Sequence, residues 1–107
     1  MYVFIELTPF SRYRDDYFSD DELAHLQRLL TDNPKVGDVI PGTGGVRKLR
    51  WSRKGTGKRG GVHVIYFVQD TKGRIWLLTV YGKSDRENIA AKTLKMLREV
   101  AEHAEID

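Results

Sequence analysis

The chain has no cysteine and only three prolines. Without thiols it can form neither a disulfide nor a thiolate zinc centre, so its core must rest on apolar packing alone, as suits a reducing compartment. Long apolar runs are missing too; none approaches the about twenty residues that a membrane helix needs. The N-terminus, Met1-Tyr2-Val3-Phe4-Ile5-Glu6, has no basic region and meets an acid at its sixth residue, unlike a secretory signal. These absences predict a soluble cytoplasmic protein with no membrane partner. What is present suffices for one core: 107 residues, 40% of them hydrophobic, with two Trp, five Tyr and four Phe, predict a single domain over 1–107.

Acid is also scarce in one place. The formal charge is only +3, yet residues 1–42 carry a net −4, residues 43–83 a net +9 with Asp70 as their one acid, and residues 84–107 a net −2. A concentrated positive field on a nearly neutral chain points to a polyanion partner.

The hydrophobic pattern predicts an α+β protein of order β-α-α-β-β-β-α. Tyr2 to Leu7 is β-branched and aromatic, and Thr8-Pro9 ends it as a strand. Phe10, Tyr13, Tyr17 and Phe18 have helical spacing. Ser19-Asp20-Asp21-Glu22 is a capping box that opens a second helix with Leu23, Leu26, Leu29 and Leu30 on one face, stopped at Asn33-Pro34. Residues 34–45, with two prolines and four glycines, read as an irregular crossing segment. Strands follow at 46–52, 62–69 and 74–81, with a Gly/Lys turn at 53–61, the one candidate for disorder, and a tight hairpin at Asp70-Thr71-Lys72-Gly73. Short turns make these three strands an antiparallel meander, with helices covering one face. Ser84 or Asp85 caps a last helix whose apolar stripe is Ile89, Thr93, Leu94, Leu97, Val100, Ala101 and Ala104.

Between Val46 and Gly61 stand Arg47, Lys48, Arg50, Arg53, Lys54, Lys58 and Arg59 without one acid. Solvated faces usually mix signs, so the segment reads as a phosphate-binding surface, its glycines letting the backbone approach a nucleic-acid strand. Strand alternation sets Lys48 and Arg50 on one face and Arg47, Leu49 and Trp51 on the other. Trp51 is either a core residue or a platform for an unpaired base. The run Gly55-Thr56-Gly57-Lys58-Arg59-Gly60 is not a nucleotide-binding loop, since no Ser or Thr follows Lys58 and no helix opens there.

Cleavage of RNA through its 2′-OH requires a base, cations for the crowded phosphate and an acid for the leaving 5′-oxygen, and no metal. The usable groups near the basic run are His63, Tyr66, Tyr81 and Lys83. An imidazole titrates near neutrality, and His63 starts the strand beside the basic loop. Lys83 follows Gly82 at a strand-to-helix turn, where a phosphate is well placed. His25 and His103 fall on helices elsewhere, and the three scattered histidines predict neither a metal site nor another cofactor.

The stretches Asn33-Pro34-Lys35-Val36-Gly37-Asp38-Val39-Ile40, Gly42-Thr43-Gly44-Gly45-Val46-Arg47-Lys48-Leu49-Arg50, Gly55-Thr56-Gly57-Lys58-Arg59-Gly60-Gly61, Val64-Ile65-Tyr66 and Leu77-Leu78-Thr79-Val80-Tyr81-Gly82-Lys83 resemble the HigB-like branch of the RelE/ParE toxin superfamily, from about residue 3 to residue 100. The resemblance implies a RelE-like fold and a type II toxin that enters the ribosomal A site and cuts the mRNA there, neutralised by a helix-turn-helix antitoxin. It assigns Lys48, Arg50 and Lys83 to phosphate binding and charge stabilisation, with Arg86 a weaker match, and leaves His63 as the proton-transfer candidate. Arg47, Arg53, Lys54, Lys58, Arg59, Tyr81 and Arg86 are the wider set of RNA contacts. His63 stands where close relatives have arginine, and Ala90 where RelE has a tyrosine. Two alternatives stay open: a ParE-like gyrase inhibitor, and a non-catalytic RNA- or ribosome-binding module.

Overall fold

The computed structural model describes residues 1–52, 61–82 and 89–105. A five-stranded sheet has the order β1-β5-β4-β3-β2, with β1 at Val3–Glu6, β2 at Asp38–Val39, β3 at Arg47–Trp51, β4 at Val62–Gln69 and β5 at Arg74–Gly82. Helices α1 (Thr8–Tyr17) and α2 (Asp20–Asp32) follow β1, and α3 (Ala91–His103) follows β5. The α+β class and the β-α-α-β-β-β-α order stand. Two details differ: β1 lies parallel to β5, and the crossing segment contributes the two-residue strand β2.

Local chemistry explains the elements that sequence predicts well. Pro9 occupies the first turn of α1, where a missing N–H costs nothing. The capping box closes in both directions, Glu22 N–H donating to Ser19 Oγ at 3.1 Å and Ser19 N–H to Glu22 Oε1 at 3.0 Å. Leu23, Leu26 and Leu30 are then buried along one face of α2. The hairpin at 70–73 is one 3₁₀ turn closed by Gly73, whose φ of 64° suits a residue without Cβ.

Helices cover both faces of the sheet, a correction to the one-face expectation. The reason lies in β4 and β5, which read as nearly continuous apolar runs because both their faces are buried. On one face Phe10, Phe18, Leu23, Leu26 and Leu30 of the first two helices meet Leu49, Val62, Val64, Tyr66, Ile75, Leu77 and Val80. On the other, Leu94 and Ala101 of α3 meet Val46, Ile65, Phe67, Trp76 and Leu78.

The last helix also departs from expectation. Its N-cap is Ala90, not Ser84 or Asp85, and Ala90 offers no side-chain cap; the two proposed caps fall outside the described residues. Ile89 still packs against the sheet from the preceding extended segment. Thr93 is exposed and Val100 is 57% exposed. Both lie off the line through Leu94, Leu97 and Ala101 that touches the sheet, so the helix buries a narrower stripe than periodicity suggested. Arg98 fastens it, lying 4.9 Å over the Phe67 ring and donating from Nε to Gly44 O at 2.9 Å.

The segment before β3 is held by side chains. The Tyr66 hydroxyl, fully buried, donates to Pro34 O at 2.7 Å and accepts from Gly37 N–H at 2.9 Å. Burial pushes its ionisation up, so it stays a phenol. Gly37 is required here, since a Cβ would sit 2.9 Å from the Tyr66 ring and 3.0 Å from Lys48 O. Thr43, also buried, donates from Oγ1 to Ile40 O and accepts from Val46 N–H, stapling the loop between β2 and β3. Tyr66→Phe strands the Gly37 N–H and the Pro34 carbonyl, which is expected to cost about 1–3 kcal/mol. Urea unfolding checks this as a lowered midpoint at unchanged slope.

Candidate nucleic-acid interface

Strand register decides which side chains share a surface. In β3, Leu49 and Trp51 point to the α1/α2 side, where Trp51 packs 6.3 Å from Phe18 and edge-on, 5.5 Å from His25. The open choice for Trp51 resolves to the core. Lys48 and Arg50 therefore project to the α3 side, and both are exposed. Opposite Arg50 stands His63, and opposite His63 stands Tyr81. Opposite Lys48 stands Ile65, which pairs in turn with Thr79.

A β-bulge completes this grouping. Ile65 pairs with Thr79 but Tyr66 pairs with Leu77, leaving Leu78 as an extra residue in β5. Without it, alternation from Ile75 and Leu77 would carry Tyr81 to the α1/α2 side. With it, Tyr81 joins the α3-side cluster and its ring lies 5.3 Å from that of His63, tilted by 33°. No residue pattern announces the bulge beyond the apolar run itself.

The result is a row Arg50–His63–Tyr81 beside a row Lys48–Ile65–Thr79. Lys48 and Arg50 are in no ion pair among the described residues. His63 and Tyr81 are partly exposed, and burial raises the Tyr81 ionisation, keeping it a neutral hydrogen-bond donor. Two exposed cations on β3 beside two accessible rings on β4 and β5 can neutralise a phosphate and stack an unpaired base together.

The other candidates divide. Arg47 faces away from this cluster; its Nη1 donates to Gly37 O at 2.7 Å and Lys35 O at 3.3 Å, so it braces the segment before β3. Tyr66 is likewise on the far side and fully engaged. Arg53, Lys54, Lys58, Arg59, Lys83 and Arg86 lie outside the described residues. Among the described residues no group of three or more His, Cys, Asp or Glu side chains is arranged to hold a metal, and no helix is long and apolar enough to cross a membrane. A groove of about 410 Å³ between β1 and α2, lined by Phe4, Ala24, Gln27, Arg28, Thr31 and Asp32, lies on the opposite side and brings none of these groups together.

Architecture and surface together define a small α+β protein that displays one cationic, part-aromatic sheet face. Residues 9–106 match the RelE family model, described as the RelE toxin of the RelE / RelB toxin-antitoxin system. The chain belongs to this toxin family, and membership implies an antitoxin partner. Because Arg50 and Arg47 face opposite ways, their removal has different consequences. Arg50→Ala is expected to reduce the slope of log K against log salt for single-stranded RNA by about 0.7, and Arg47→Ala to leave it unchanged. Filter binding across a salt series measures both.

Proposed function

We propose that this protein is a HigB-like toxin that works in the cytoplasm as a ribosome-dependent mRNA endoribonuclease, held in check by a helix-turn-helix antitoxin. The observation that carries the reading is the convergence of Lys48, Arg50, His63 and Tyr81 on one accessible part of the sheet. Membership of the RelE toxin family supports the same chemistry. Lys48 and Arg50 bind the scissile phosphate and offset the charge that builds up on it during attack by the 2′-oxygen. His63 transfers a proton. Tyr81, its ring tilted by 33° beside that of His63, offers a ring to the neighbouring base and a hydroxyl to the phosphate. Lys83 and Arg86, close to Tyr81 in sequence, are the further cationic contacts of this reading.

Positive charge on this face also suits the ribosome, where the mRNA is presented within a dense phosphate environment and association is steered electrostatically. An antitoxin neutralises such a toxin most directly by covering the same face.

Primer extension on mRNA in a translating extract, with and without ribosomes, tests the proposal. Cuts that require ribosomes are expected, and His63→Ala should slow them about 10²–10⁴-fold while ribosome affinity holds. Intact mRNA together with inhibited DNA supercoiling would instead establish a gyrase poison. Intact mRNA with retained ribosome binding would establish a non-catalytic module.

A further inference from the structure

The cationic face carries a carboxylate that the reading above leaves without a task. Asp38 stands directly opposite Lys48 in the β2–β3 ladder, and directly paired residues project to the same side of a sheet. It is exposed, and it is the only acid that the described strands place on this face. A carboxylate beside a phosphate-binding lysine opposes RNA binding, so its presence calls for a compensating use.

We propose that Asp38 is a second catalytic residue, the general base that removes the 2′-OH proton, with His63 acting as the acid. The inference rests on the nuclease reading and adds to it the division of labour. Asp38 and His63 flank the Lys48–Arg50 pair, one on each neighbouring strand and in successive same-face rows. With strands about 4.8 Å apart and residues about 3.3 Å apart along them, their Cα atoms lie roughly 12 Å from each other. Side chains leaning inward from both sides leave room for one phosphate over the two cations. In-line displacement needs this arrangement, because the attacking 2′-oxygen and the departing 5′-oxygen lie on opposite sides of phosphorus. Asp38 takes the 2′-OH proton, the 2′-oxygen bonds to phosphorus, the bond to the 5′-oxygen breaks, and that oxygen takes a proton from the His63 imidazolium. The products are a 2′,3′-cyclic phosphate and a 5′-OH, with no further reactant.

The mounting of β2 supports this role. A charge that merely blocks a sheet edge needs no fixed position. Asp38 sits instead on a hairpin fixed by Ile40 N–H to Val46 O at 2.8 Å, by the two hydrogen bonds of Thr43 Oγ1 to Ile40 O and from Val46 N–H, by Tyr66 and Arg47 on Gly37, and by Arg98 on Gly44. Such preorganisation is what a proton-transfer group requires.

Single-turnover cleavage of ribosome-bound mRNA at saturating protein, set beside ribosome affinity, tests the assignment with Asp38→Asn, Asp38→Glu and His63→Ala. Asp38→Asn is expected to slow cleavage about 10²-fold or more while affinity holds or rises, and Asp38→Glu to recover part of the rate. A message with sulfur in place of the bridging 5′-oxygen needs no acid, so it should restore His63→Ala and leave Asp38→Asn slow. Wild-type rate in Asp38→Asn overturns the proposal, as does its rescue by the sulfur substrate. Parallel loss of affinity and rate assigns Asp38 a structural role and overturns it equally. If the wild-type protein makes no cut, the nuclease reading itself falls.

Discussion

Everything on the exposed face depends on the register of β3, β4 and β5. The first two helices bury one side of the sheet, and α3 buries only part of the other. Side chains alternate along a strand, so a slip of one residue would bury Lys48 and Arg50 and expose Leu49 and Trp51. Burial of Leu49, Val62, Val64 and Tyr66 against α1 and α2 makes that slip prohibitively costly. The cations are thus held outward by the apolar residues between them. The bulge at Leu78 extends the same control to β5 by shifting its parity once, so that Val80 stays in the core while Tyr81 reaches His63.

The edge hairpin is the second device, and it couples stability to surface chemistry. Tyr66 belongs to the α1/α2 core by its ring and to the segment before β2 by its hydroxyl. From the opposite side, Arg98 ties α3 to Gly44, within the loop joining β2 to β3. A two-residue strand at a sheet edge would fray if it relied on its own ladder. Bracing from both faces holds it, and with it the neighbourhood of Lys48. Charge is divided as well: the first turn of α2 carries Asp20, Asp21 and Glu22, whereas Lys48 and Arg50 stand exposed on β3. The molecule therefore presents unlike charge on different surfaces, which orients it toward a polyanion.

Much of this was legible in the residues. The capping box at Ser19, the Leu23–Leu26–Leu30 face and the separation of Lys48 and Arg50 from Leu49 and Trp51 all follow from local rules that tertiary structure did not override. What escaped is non-local. Strand β2 has two residues and no pattern of its own, since it exists only because Arg47 and Lys48 lie opposite. Coverage of both sheet faces was written into the unbroken apolar runs of β4 and β5, but a run without alternation does not name its partners. Helical periodicity at the C-terminus marked Val100 as core although α3 needs only the Leu94–Ala101 line. Tyr66 shows the limit most clearly, because nothing nearby in sequence tells a buried brace from a surface phenol.

Backbone amide chemical-shift mapping, as a short single-stranded RNA is added to the labelled protein, tests most directly where RNA binds. Shifts concentrated at Asp38, Lys48, Arg50, His63, Ile65 and Tyr81, with α2 silent, are the expected result. Shifts centred on α2 and the groove beside β1, or none at all, would contradict the assignment of this face to RNA.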